Sequence, residues 1–244
     1  MRFREKRVLN GLEINIEDNK ATVIMGRSGI GKSVLLKCIC GLLAPQQGVI
    51  EIDGQNIAAA RPRQAKMIRS AIGMLLQEGA LFDGLTVYEN IAFPLTYHRN
   101  HTHAEIDREV RRYADIVEMT PFLDLVPREL SGGMKRKAAL ARCMITQPRY
   151  LFYDEPTTGL DPISAGTVDA IIKKLSDTVN ITSLIVTHDV ELALFVGDTV
   201  ALIEDGRIRA LEARAEFRRS ESELRTRFID QRRILHEEYH ANRK

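Results

Sequence analysis

Ala21-Thr22-Val23-Ile24-Met25-Gly26-Arg27-Ser28-Gly29-Ile30-Gly31-Lys32-Ser33 joins an apolar, β-branched run to a glycine-rich octapeptide. The run ATVIM reads as a buried strand that stops at Gly26. From Lys32 to Leu43 the spacing turns helical, and Pro45 lies past its end. The octapeptide between them fits GxxxxGK[ST]. Its glycines allow positive φ and close backbone approach. Successive N–H groups at the start of the helix then form an anion nest at a positive helix end. Gly26, Arg27, Ser28, Gly29, Ile30, Gly31, Lys32 and Ser33 are therefore expected to cradle nucleotide phosphates. Lys32 adds a point charge for the β- and γ-phosphates, and the Ser33 hydroxyl can hold Mg²⁺.

Downstream, the same alternation recurs. Gly48–Ile57 alternates at Ile50 and Ile52 before an Asp53-Gly54 turn, which predicts a hairpin. A helix is expected over Pro62–Ile68 and a buried strand over Ile72–Gln77. The chain is helical and polar from Thr86 to Arg128, with an exposed histidine-rich stretch at Tyr97–His103. A helix over Met134–Ile145, a strand YLFY at Tyr150–Tyr153, a helix over Ile163–Leu175, a strand at Ser183–His188 and a closing hairpin TVALIEDGRI follow. Strands alternating with helices give an α/β class with a mostly parallel sheet.

The 244 residues correspond to one or two domains and can bury a core without staples. Thirty-five Lys and Arg against 33 Asp and Glu leave +2, so no global basic field draws in nucleic acid. Cys38, Cys40 and Cys143 make no disulfide framework and no CxxC, which suits a reducing compartment. The charged start MRFREKRVLNG is not read as a signal peptide, and no stretch of ~18 apolar residues suggests a span. Disorder, collagen, a secreted mini-protein and an integral membrane protein are excluded by these features.

Asp154 and Glu155 close the apolar strand YLFY. A carboxylate at a strand end beside a phosphate loop suits an outer oxygen ligand of Mg²⁺, the role of Asp154. Glu155, one step on, can polarise or deprotonate an attacking water. Leu130-Ser131-Gly132-Gly133-Met134 precedes a helix, where serine and glycine cap and form a second anion-binding end.

The order phosphate loop, LSGG before a helix, apolar strand with DE, Gly159-Leu160-Asp161-Pro162, then a strand ending in His188, resembles the nucleotide-binding subunit of ABC transporters up to about residue 210. The resemblance implies a P-loop NTPase fold: a RecA-like parallel core, an antiparallel β subdomain and a helical signature subdomain at about 78–145. It implies that two copies meet head to tail around two ATP molecules. Ser131 and Gly133 of one copy would then reach the γ-phosphate held by Lys32 of the other, with Gly132 between them in the same nucleotide-binding signature. Gln77 would sense Mg²⁺, the water and the transporter interface. His188 would contact the γ-phosphate, and Asp161 would couple the two sites. The family also stacks an aromatic on adenine from upstream of the phosphate loop. Phe3 is the aromatic available, although it lies close to Gly26 and the family's first strand is nearly absent.

Gln77-Glu78-Gly79-Ala80-Leu81-Phe82, LSGGM and the DPI at Asp161-Pro162-Ile163 look like the Mla/Mkl/TGD-type ATPases of MCE-linked lipid transporters. That resemblance implies ATP and Mg²⁺ as cofactors, and as partners a second copy, an MlaE-like permease, an MCE-domain lipid carrier and in some systems a STAS-domain protein. It places the chain on the cytoplasmic side of a bacterial inner membrane, held there by its permease. The loop from Glu78 to Leu95 would face that permease. Two rivals stay open: a transporter ATPase for another small solute, and a soluble ABC ATPase acting on nucleic acid or ribosomes. The latter class usually has two fused halves or a long insertion, and this chain has neither.

From 211 to 244 the composition changes to a charged tail. Phe217, Leu224, Phe228, Leu235 and Tyr239 form one apolar stripe at helical spacing. It fits a helix lying on its own domain or a docking helix for a partner. His236-Glu237-Glu238-Tyr239-His240 matches HExxH, but no third ligand follows, so a solvated tail is expected. His98, His101 and His103 likewise read as a solvated loop.

Overall fold

The computed structural model describes residues 1–3, 6–98 and 101–219. A short antiparallel ladder opens it, β1 (Arg2–Phe3) against β2 (Lys6–Arg7), with Phe3 opposite Lys6. β3 (Ala21–Met25) is buried at every position. α1 (Lys32–Ile39) follows the glycine-rich loop. It ends before Leu43 because Gly41 takes positive φ and the chain closes back on itself. The Gly41 amide donates to Cys38 O and the Leu42 amide to Lys37 O, a Schellman closure.

β4 (Glu51–Ile52) and β5 (Gln55–Asn56) form the expected hairpin, with positive φ at both Asp53 and Gly54. α2 (Pro62–Ser70) leads into β6 (Ile72–Leu75). α3 (Val87–His98), α4 (His103–Ile116) and α5 (Gly132–Met144) then pack against one another. β7 (Tyr150–Asp154), α6 (Pro162–Thr178), β8 (Thr182–Thr187), α7 (Val190–Val196), β9 (Thr199–Glu204), β10 (Arg207–Ala213) and α8 (Arg214–Arg219) complete the order.

The main sheet runs β10-β9-β3-β8-β7-β6. Its pairs are parallel from β9 to β6, and β10 alone joins antiparallel. Antiparallel pairing among the described residues is thus confined to β1–β2, β4–β5 and β9–β10. The two faces carry separate cores: Val23 and Met25 pack with α5, α6 and α7 residues, and Ile24 packs with Leu35 and Leu36 of α1. Alternation along β3 therefore feeds both layers.

Two sequence expectations shift. Ile72–Gln77 is a shorter strand at the sheet edge, so its burial alternates and Leu76 and Gln77 are exposed. Residue 210, where the resemblance is expected to end, falls inside β10. β10 pairs with β9 to Ala213, and Phe217 on α8 is 1% exposed inside the larger core. The first member of the predicted tail stripe is thus a core residue. Leu224, Phe228, Leu235, Tyr239 and the HExxH match lie outside the described residues.

Candidate functional site

Parallel pairing aligns the carboxyl ends of three neighbouring strands. Met25 is in register with Thr187, and Asp154 with Val186. The glycine-rich loop, the Asp154-Glu155 pair and His188 leave the sheet at this edge, where open α/β sheets take their ligands. Gly26 has no room for a side chain: an added Cβ would lie 2.5 Å from Ile203 Cγ2 on β9. Gly31 caps α1 with φ 113, and an added Cβ there would meet Val8 Cγ1 at 2.5 Å. The loop is therefore held between the sheet and the N-terminal segment.

Lys32 is buried, at 5% exposure. Its Nζ donates to Gly26 O at 2.6 Å and Arg27 O at 3.2 Å, and pairs with Glu155 Oε1 at 3.1 Å. Ser33 Oγ donates to Asp154 Oδ1 at 2.8 Å. Burial pushes the Asp154 carboxyl up, against the Ser33 hydrogen bond that pulls it down. A buried carboxylate and a hydroxyl in contact form a hard oxygen set. The pair fits a divalent cation. Gln77 stands exposed after β6, and among the described residues no hydrogen bond joins it to that pair.

Glu155 takes φ 48, left-handed for a residue with a side chain, while its amide still donates to Val186 O at 2.9 Å. The twist sends Asp154 toward Ser33 and Glu155 toward Lys32 and His188. Glu155 Oε2 accepts from Thr158 Oγ1 at 2.9 Å, from Thr187 Oγ1 at 3.3 Å and from the His188 amide at 3.4 Å. His188 Nδ1 lies 2.9 Å from the same oxygen. Burial pushes this carboxyl up, but Lys32, His188 and Thr158 outweigh it and hold it below the usual carboxylate range. Glu155 is thus ionised. An ionised oxygen accepts, so the hydrogen sits on Nδ1 of His188, and Nε2 is left for other contacts.

Ser131 caps α5, accepting from the Met134 amide at 3.2 Å. Gly132 and Gly133 press on the start of α6: added Cβ atoms would lie 2.9 Å from Leu160 Cδ2 and from Ser164 Cβ. Asp161 caps α6 through the Ile163 and Ser164 amides at 3.1 and 3.0 Å. Among the described residues no hydrogen bond links Ser131, Gly132, Gly133 or Asp161 to Lys32, Asp154 or Glu155. The sequence-predicted residues thus form two groups, one around Lys32 and one at the α5–α6 corner. Phe3 sits on β1, apart from both groups in the chain.

Sequence reasoning passed over Thr158 and Thr187, which hold the Glu155 carboxylate. The signal was present, since each lies within one turn of Glu155 or His188. It also passed over Arg136 and Arg142, two buried or half-buried arginines on α5. Arg136 Nε donates to Pro156 O at 3.1 Å, and Arg142 Nη2 donates to Gly79 O at 2.9 Å.

A cavity of about 640 Å³ lies beside β6, lined by Phe82, Phe93, Leu95, Met74, Arg142 and His101 among others. Phe82 and Phe93 meet at 4.6 Å between ring centroids, and both remain partly open to solvent. His101 and His103 are exposed, and no group of three metal-binding side chains occurs among the described residues.

Asp169 on α6 lies within electrostatic reach of Asp189 and Glu191 at the start of α7. One of its carboxylate oxygens is buried without a hydrogen-bond partner. Burial, with those two acids, pushes its carboxyl up to about 7. An unfolded aspartate loses its proton near pH ~4. Between the two values the folded state binds more protons, so stability falls as pH rises through that window. Asp169→Asn is expected to raise the melting temperature at about pH 8 by a few degrees, roughly 1–2 kcal/mol after allowing for partial solvation. The gain should shrink toward about pH 5. Equal gains at both pH values would contradict the ionisation argument.

A family model described as ABC transporter matches residues 9–158. The chain is 42% identical to the "Intermembrane phospholipid transport system ATP-binding protein MlaF" of Haemophilus influenzae, over 83% of this chain and 77% of that one. It is 36% identical to MlaF of Escherichia coli, over 83% and 76%. It is 34% identical to the "Probable ribonucleotide transport ATP-binding protein mkl" of Mycobacterium leprae, over 95% and 67%. Among solved structures, a dimeric ATP-binding cassette in a post-hydrolysis state bound to ADP and Pi superposes with a TM-score of 0.79 at 28% identity, covering 87% of this chain and 94% of that one. A cassette from Clostridium perfringens, part of the transporter complex cbiONQ, gives 0.80 at 28%, covering 94% and 91%. No helix among the described residues is long and apolar enough to cross a membrane.

Proposed function

The chain belongs to the ABC transporter family, and from that premise we propose that it is the ATP-hydrolysing subunit of a transporter that moves phospholipid between bacterial membranes. The likeness to MlaF over four-fifths of the chain carries the substrate class. The Lys32–Glu155–His188 cluster supports the chemistry. Lys32 neutralises phosphate charge at the mouth of the loop. Glu155, kept ionised by Lys32, His188 and Thr158, accepts a proton from the attacking water or orients it. Thr158, Thr187 and the His188 ring fix its carboxylate plane, and His188 Nε2 stays available to a phosphate oxygen.

Ser33 and Asp154, with Gln77, would hold Mg²⁺, which supplies charge neutralisation between phosphates when bound. Phe3 is proposed to stack on adenine, as the upstream aromatic of the chain.

The separation of the two groups supports a second copy as partner. Ser131, Gly132, Gly133 and Asp161 form an amide-rich corner that needs a phosphate brought from outside this chain, and a head-to-tail dimer supplies it. The dimeric state of a solved relative fits that arrangement. The cavity with Phe82 and Phe93 is proposed as the seat of an MlaE-like permease, which would hold the chain at the cytoplasmic face of the inner membrane. An MCE-domain carrier and a STAS-domain protein would complete the system. Residues 1–210 are proposed as the ATPase domain, with 78–145 as its signature-bearing helical part and 211–244 as a charged tail whose first part, the end of β10 and α8, packs onto that domain.

A second reading, transport of another solute, has one observation in its favour: the mycobacterial relative is named for ribonucleotide transport. Purification of the tagged chain from its native membranes, with mass spectrometry of what accompanies it, separates the two. An MlaE-like permease together with an MCE protein is expected. A different permease overturns the lipid assignment and keeps the ATPase, and no membrane protein at all overturns the transport reading.

A further inference from the structure

From Gly54 to Gln77 the chain holds no Asp or Glu, and its cations Arg61, Arg63, Lys66 and Arg69 all lie on α2 or at its start. All four residues are exposed. Among the described residues none of the four makes an ion pair. The last acid before this stretch, Asp53, is already taken: Arg149 pairs with it at 2.7 Å, and the Tyr150 hydroxyl donates to it at 2.6 Å. α4 differs in kind, since its Arg108, Arg111 and Arg112 are each paired with Asp107 or Glu109 of the same helix.

Helical spacing decides which side of α2 is free. Ala65 and Ile68, three apart, are its buried residues, and Ile68 packs into the core beside α1. Arg63 is three residues from Lys66 and four from Met67, so these three share the opposite side. Met67 is 66% exposed, which stands an unbranched apolar side chain among cations. Leu42, 61% exposed, follows Gly41, where an added Cβ would lie 3.7 Å from Arg69 Nη1. Arg69 and Ser70 also line the cavity that holds Phe82 and Phe93, so the basic face is continuous with it.

We propose that the Arg63–Lys66–Met67 face of α2, with Arg69 at its edge, docks on an anionic phospholipid surface. Unpaired cations complement a negative headgroup layer, and Lys and Arg reach it on long apolar stems. An exposed methionine and leucine gain from the boundary between headgroups and acyl chains, and gain little from a nucleic-acid backbone. α2 also carries no aromatic ring on which a base could stack. That this face turns toward the bilayer in an assembled transporter rests on the reading of the cavity as the seat of a permease; lipid binding by the chain itself does not.

The test is co-sedimentation of the full chain with vesicles of phosphatidylcholine mixed with phosphatidylglycerol, beside vesicles of phosphatidylcholine alone. Binding is expected to the mixed vesicles only and to weaken as salt is raised. Changing Arg63→Gln and Lys66→Gln together should weaken it about fivefold for each charge removed, so about 25-fold. Met67→Ser should weaken it a few-fold more at any salt. Arg108→Gln with Arg112→Gln, the same charge change on α4, should leave it as it is. ATP hydrolysis by the chain alone should keep its kcat and KM in every variant. An equal loss from the α4 pair overturns the proposal, because net charge alone then explains binding. No loss from the α2 pair overturns it too, as does a loss that tracks a fall in melting temperature. Tighter binding of a duplex oligonucleotide by the same cations would replace lipid with nucleic acid. Failure to recover a permease in the purification described above would remove the reading of the cavity and leave the vesicle result standing.

Discussion

Glu155→Gln is expected to bind ATP as tightly as the parent and to hydrolyse it ~10²–10⁴-fold more slowly. The amide keeps the size of the carboxyl, so Thr158 and Thr187 retain an acceptor at Oε1 of the new side chain. What disappears is the negative charge that Lys32 and His188 hold in place. An amide cannot take a proton from water, and one of its two ends now presents N–H groups where an acceptor stood. Nucleotide contacts by the glycine-rich loop do not depend on that charge. Equilibrium binding of a labelled nucleotide, followed by single-turnover hydrolysis, separates the two effects. Hydrolysis at the parent's rate would refute the role given to Glu155.

Lys32→Ala is expected to weaken nucleotide binding on the order of 10²-fold, the loss of a charge-assisted contact in a site this dry. It should also lower stability by about 3–5 kcal/mol, because Glu155 would remain buried without its counter-charge. The two effects have opposite signatures across a second substitution. Adding Glu155→Gln to Lys32→Ala should restore much of the stability and none of the nucleotide affinity. Thermal melting of the two single variants and the double one, beside binding isotherms, reads both. Undiminished affinity in Lys32→Ala contradicts the phosphate-site assignment.

The parts of the site that depend on chain-local spacing were legible in the sequence. A strand, a glycine-rich turn and a helix start lie within thirteen residues, so Gly26 to Ser33 could be placed without any long-range contact. Asp154 and Glu155 were legible for the same reason, at the end of a run too apolar to be anything but buried. Three features escaped because they depend on neighbours far along the chain. Ile72–Gln77 is as apolar as a central strand, and its edge position follows only from the sheet order. Phe217 reads as part of an apolar stripe open to its own domain or to a partner, and only the fold decides for its own domain by seating that ring in the core. Arg136 and Arg142 look like surface charges on a basic helix. Only the fold brings Pro156 O and Gly79 O to them. The early end of α1 belongs to a different class, since Gly41 was visible and its closing amides are a local effect.

The left-handed turn at Glu155 has a bearing on what selection can optimise here. A side-chain-bearing residue at φ 48 is held about 1 kcal/mol above what glycine would require at the same place. Relief is one substitution away, and it would remove the carboxylate that Lys32 and His188 hold. The protein as it stands is therefore not the most stable one its own fold admits, and a screen that rewards only thermal resistance would drift toward a chain without that carboxylate.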